Sequence, residues 1–61
     1  MKVTLEDARV VRATEKAVLV AFDGEQRWIP RSVCLDGDAL NVNDTDICVE
    51  KWFAETQELP F

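Results

Sequence analysis

The chain contains no histidine and no tyrosine, and it has only two glycines, two prolines and two cysteines. Without an imidazole, the usual general base near neutral pH and the commonest transition-metal ligand are both missing. A nucleophilic thiol at Cys34 or Cys48 would have no imidazole to activate it, only scattered arginines. A structural zinc site wants four Cys or His ligands, and two cysteines separated by thirteen residues do not supply one. In a reducing compartment the two thiols read as small buried hydrophobes rather than a disulfide. No apolar run approaches the ~20 residues that span a bilayer. Met1-Lys2-Val3-Thr4-Leu5-Glu6-Asp7 turns acidic before a signal-peptide core can form, so the expected compartment is the cytoplasm, with no membrane partner.

What remains is 61 residues at 48% hydrophobic and 31% charged, the composition of one small globular domain over residues 1–61 rather than of a disordered or fibrous chain. The net charge of -5 is unevenly spread. Residues 1–31 carry six basic groups against five acidic ones, whereas residues 32–61 carry Lys51 alone against seven carboxylates. Sequence-independent binding of nucleic acid rests on Lys and Arg neutralising phosphates, so the overall balance argues against that ligand and favours a protein with a basic surface. The same charge also serves simply to keep a small domain in solution.

Along the chain, Ala8–Ala13 is Val-rich with interleaved Arg, Thr14-Glu15-Lys16 is polar enough to turn, and Ala17–Phe22 is an unbroken apolar run of strand length. Asp23-Gly24 then marks a tight hairpin, because a type I′ turn needs positive φ at both central residues. The return strand is Glu25–Ile29, ended by Pro30, which cannot donate to a ladder. A two-residue loop sets Leu19 against Trp28 and Val18 against Ile29; a three-residue loop moves Trp28 to the face of Val18, Val20 and Phe22. The continuous apolar strand implies burial on both faces, which a chain this short achieves by curling its sheet. Farther on, Ser32–Leu35 extends or restarts a strand, Asp36-Gly37-Asp38 turns, Ala39–Val42 reads as a short strand, Asn43–Asp46 turns again, and Ile47–Val49 forms a last strand. Residues 50–58 read as a helix whose face of Val49, Trp52, Phe53, Thr56 and Leu59 docks on the sheet, with Pro60 as its stop.

Thr14-Glu15-Lys16 followed by the aliphatic strand, then Asp23-Gly24 and Trp28-Ile29-Pro30-Arg31-Ser32, with the Trp-containing segment Val49–Ala54, resembles a group of short bacterial and phage proteins of unknown function. The resemblance covers residues 8 to about 59. It implies an SH3-like or similar small barrel and a prophage or mobile-element context, and it brings no catalytic residue. Cys34 and the Asp36/Asp38 loop depart from its pattern.

The acidic stretch 36–46 suggests calcium, but a twelve-residue loop starting at Asp36 would place Asn41 where glycine belongs and Ile47 where the bidentate Glu belongs. Its aspartates read as turn formers. The fold class expected is therefore mainly β (α+β): a small SH3-like barrel or curled antiparallel sheet of 4–5 strands with a C-terminal helix. The function expected is non-enzymatic protein binding, cofactor-free, by a phage-type accessory module that is a monomer or weak dimer. Its candidate surface is Asp36, Asp38, Asp44, Asp46, Glu50 and Trp52. The alternative is a nucleic-acid-binding barrel using Arg9, Arg27, Trp28 and Arg31, for which stacking on the aromatic and pairing with phosphates would be the mechanism. Against it, Trp28 reads as a core residue with the arginines, Arg12 included, solvating a sheet face.

Overall fold

The computed structural model describes residues 1–59 and 61. Five strands and one helix follow in the order β1 (Lys2–Thr4), β2 (Arg9–Ala13), β3 (Ala17–Phe22), β4 (Glu25–Pro30), β5 (Cys48–Glu50) and α1 (Lys51–Thr56). Two short 3-10 turns, Arg31–Val33 and Gly37–Ala39, lie between β4 and β5. The strands form two antiparallel sheets, a three-stranded one ordered β2-β3-β4 and a two-stranded one pairing β1 with β5. The sheets do not close into a barrel.

The β3-β4 hairpin forms where the sequence predicts it. Asp23 (φ 48) and Gly24 (φ 77) take the two left-handed positions. The loop is therefore two residues long, and Val18 faces Ile29 while Leu19 faces Trp28. That register corrects two expectations. β3 is buried on one face only: Val18, Val20 and Phe22 are buried, whereas Ala17, Leu19 and Ala21 are half-buried because no second layer covers them. Trp28 belongs to that uncovered face and is 52% exposed rather than part of the core.

The core lies between the two sheets and beneath the helix. Val10, Val18, Val20, Ile29, Ile47 and Val49 are completely enclosed, joined by Leu5, Phe22, Ala54 and Leu59. Burying each such aliphatic side chain contributes about 1.5–3 kcal/mol.

Between β4 and β5 the backbone departs from the strands predicted there. Ser32–Leu35 is not a strand; Arg31–Val33 winds into a 3-10 turn closed by Cys34 N–H to Arg31 O at 3.0 Å, and only Cys34 makes an isolated bridge, to Val49. Ala39–Val42 is not a strand either. The Arg31 guanidinium takes the carbonyls of Gly37 (2.5 Å) and Leu40 (2.9 Å), and the Asp44 carboxylate accepts the Asn41 N–H at 2.8 Å. Side-chain bonds of this kind offer the backbone an alternative to a ladder. Gly37 is required there: a Cβ would lie 2.2 Å from Arg31 O.

The helix is shorter than the predicted 50–58 and ends in a Schellman motif. Leu59 N–H bonds Ala54 O, Glu58 N–H bonds Glu55 O, and Glu58 sits at φ 56. The expected stop, Pro60, lies outside the described residues. Folding Leu59 back over Ala54 buries those two residues and half-buries Phe53, while Trp52 is left 58% exposed instead of docking on the sheet. Its ring meets Phe53 edge-on, with centroids 5.8 Å apart. Among the described residues, no helix is long and apolar enough to cross a membrane.

Candidate interaction surface

The residues of the predicted acidic surface have different settings: Asp46 lines a groove beside Arg9, whereas Asp36 and Asp38 line another beside Lys16 and Arg31. Asp36 and Asp46 occupy left-handed backbone positions at φ 52 and 56, conformations that Asp tolerates better than most residues. Asp44 is half-buried, caps Asn41 through its carboxylate and receives Val10 N–H at its carbonyl. Glu50 pairs with Lys2 across the β1-β5 ribbon at 2.7 Å. That hydrogen bond to Lys2 is the main reason the Glu50 carboxyl lies below its ordinary range. Asp38 is exposed in the Gly37–Ala39 turn, and Trp52 is exposed on α1.

The alternative set divides as well. Directly opposed residues of an antiparallel pair share a face, and faces alternate along each strand. Arg27 opposes Val20 and so emerges from the core side at the edge of the sheet. Arg31 is held: besides Gly37 and Leu40, its Nε donates to Thr14 O at 2.9 Å, so the guanidinium ties three stretches of backbone together. Arg9 and Trp28 do share a face, the uncovered one.

That outer face carries one exposed aromatic, Trp28, and two exposed arginines, Arg9 and Arg12. A register shift between Val10 and Arg12 turns Arg12 to the same side as Arg9. One cross-strand row then runs Arg12, Leu19, Trp28, and the next runs Arg9, Ala21, Gln26. Among the described residues, the strand positions that make up this face carry no carboxylate. Leu19 is in neither candidate set; the two-residue Asp23-Gly24 loop puts Trp28 beside it, where a three-residue loop would turn Trp28 to the other face. At one end the face borders a shallow open groove of about 540 Å³, where the chain also brings Asp7, Asp23 and Asp46 close to Arg9.

Cys34 is buried and burial pushes its pKa up, opposed by the nearby Arg31, while its Sγ contacts Pro30 O at 3.5 Å. Cys48 Sγ lies 3.2 Å from Thr4 Oγ1, and the two cysteines are not joined. Among the described residues, no three Cys, Asp or Glu side chains converge in a way that would hold a metal ion.

No family model, no curated protein and no solved structure matches this chain.

Proposed function

We propose that the protein is a non-enzymatic binding module that engages another protein through the outer face of its three-stranded sheet. The observation that carries this reading is Trp28, about half exposed at the end of the Arg12–Leu19–Trp28 row, on a face whose described strand positions carry no carboxylate. A half-exposed tryptophan on the same face as arginines, one strand removed from them, has the composition of interaction hot spots, where a rigid aromatic supplies area and Arg supplies directed hydrogen bonds. The face suits a partner segment that offers an apolar side chain to Trp28 and Leu19 and a carboxylate to Arg12, at the end away from Asp7, Asp23 and Asp46. This partner differs from the basic one suggested by net charge, because the acidic side chains of the second half lie in different settings, with Asp44 capping Asn41 and Glu50 paired with Lys2.

A nucleic-acid reading uses the same face, with Trp28 as stacking platform. It is the weaker of the two: a single aromatic gives no succession of stacked bases, and Asp7, Asp23 and Asp46 crowd the Arg9 end where phosphates would pass.

Capture from a bacterial lysate, with and without nuclease, tests the choice. A protein retained by wild type after nuclease treatment and lost with Trp28→Ala, but not with Trp52→Ala, supports the outer face. Retention that depends on nucleic acid and falls steeply with salt overturns protein binding in favour of the second reading. Loss with Asp36→Asn/Asp38→Asn but not with Trp28→Ala returns the acidic half to the front.

A further inference from the structure

The two edges of the three-stranded sheet are finished differently. The β2 edge is bulged, and the outward N–H and C=O of Val10 bond Asp44 O at 3.0 Å and Asn43 N at 2.7 Å. On the other side, Arg31 N–H donates to Lys16 O as the rung beyond β4. Rungs alternate, so Arg27 and Ile29 turn their main chain towards β3, while Gln26 and Trp28 turn theirs outward. Among the described residues, no main-chain bond reaches those outward groups. Edge strands left this way are templates for another strand.

We propose that β4 pairs antiparallel with β4 of a second copy, across a two-fold axis at Trp28, to give one continuous six-stranded sheet. This inference does not rest on the binding reading above. The edge is self-complementary in charge: Glu25 opens it and Arg31, whose guanidinium keeps its charge while held by the carbonyls of Thr14, Gly37 and Leu40, follows it, so an antiparallel copy brings the acidic end of one strand towards the basic end of the other. The register follows by elimination, since outward residues must meet outward residues. An axis at Arg27 would oppose Arg27 to its own copy, and like charges directly opposite destabilise a pair. An axis at Gln26 would set Trp28 against Gly24, which sits at φ +77 inside the turn and ends the ladder after one rung.

An axis at Ile29 would oppose Arg27 to Arg31 and leave Trp28 facing the donor-less Pro30. An axis at Trp28 avoids all three. The two Trp28 residues exchange N–H to C=O bonds, each Arg27 opposes Ile29 of the other copy, and Gln26 N–H faces the carbonyl of Pro30. Proline is tolerated at that position because only its missing donor is forfeited. On the outer face the two indoles become neighbours, and the Arg12–Leu19–Trp28 rows of the two copies join into one.

One short strand buries less than a permanent interface does, and the charge of -5 on each copy opposes approach. The dimer is therefore concentration-dependent and favoured by added salt.

Sedimentation equilibrium from micromolar to millimolar protein, paired with amide hydrogen exchange at both extremes, is the test. The expected result is a mass rising from 6.9 kDa towards twice that, earlier in high salt, with the Gln26 and Trp28 amides protected only at high concentration. Gln26→Pro removes an outward N–H that β3 does not use, and Trp28→Lys sets like charges across the axis. Both should fold, as judged by circular dichroism, and remain at the monomer mass. A wild-type mass of 6.9 kDa throughout overturns the proposal. So does a dimer that leaves those two amides exchanging freely, or one that persists in Gln26→Pro. Protection of the edge only when a captured partner protein is added also overturns it, and assigns the edge to the partner's strand.

Discussion

The three-stranded sheet and the segment from Arg31 to Glu50 share one core but are held by different kinds of interaction. In the sheet, each strand pairs with its neighbour in sequence and the hairpin closes through two residues. In the later segment, regular structure is limited to two 3-10 turns and β5, and order comes from distant partners: Leu5 N–H to Ile47 O, Leu35 N–H to Cys48 O, Val10 with Asn43 and Asp44, and Arg31 with Gly37 and Leu40. Local pairing makes the first region legible and self-specifying. The second region is specified only once the first exists for it to pack on.

If the two regions form one cooperative unit, enclosed residues in each should matter equally. Ile29→Ala in β4 and Ile47→Ala in an irregular stretch should each cost about 2–5 kcal/mol, measured by urea unfolding. A much smaller loss for Ile47→Ala would show that the later segment frays independently. Next in size is the arginine tether. Gly37→Ala drives a methyl into the Arg31 carbonyl and should cost about 1–3 kcal/mol. Arg31→Met releases three carbonyls and should lose a similar about 1–3 kcal/mol. Amide exchange should quicken between residues 31 and 44 in both variants while β3 keeps its protection.

On the sheet side, Gly24→Ala forces a Cβ into a left-handed turn position and should cost about 1–2 kcal/mol, read from the same unfolding curves. Asp36→Asn and Asp46→Asn keep a residue that tolerates positive φ, so each should stay within about 0.5 kcal/mol of wild type. A larger fall would mean that their charges, and not their backbone geometry, hold the turns. The smallest effect concerns Glu50. Its pKa is lowered in the fold by Lys2, so the pairing contributes above the ordinary carboxylate pKa and is lost as pH falls through the lowered one. Compared with wild type, Glu50→Gln should show a slightly shallower loss of stability in acid and no difference in slope near neutral pH.

The residues that sequence reading found and those it missed divide along the same line. β3, the Asp23-Gly24 turn and the return strand are visible because apolar run length, turn chemistry and proline punctuation act over a few residues. β1 escaped because Lys2–Thr4 carries no run of its own and becomes a strand only by meeting Cys48–Glu50 from the far end of the chain. The predicted strand at Ala39–Val42 failed because Arg31, eight residues earlier than Ala39, takes the neighbouring carbonyls. For the site, Arg9 and Trp28 were named from composition, but Arg27 and Arg31 could not be separated from them without the strand parity.

Sequence alone determined that this chain makes a small, mainly β domain with a tight hairpin and a short C-terminal helix, because period, turn residues and length are local properties. It also determined that acid-base chemistry through histidine is absent. Tertiary structure decided that the strands divide into two sheets, that Trp28 and Trp52 stay in water, and that the acidic residues mostly shape turns. Those outcomes depend on which face each strand turns to the core, and that is fixed by one two-residue loop, one bulge and contacts between residues far apart in the chain.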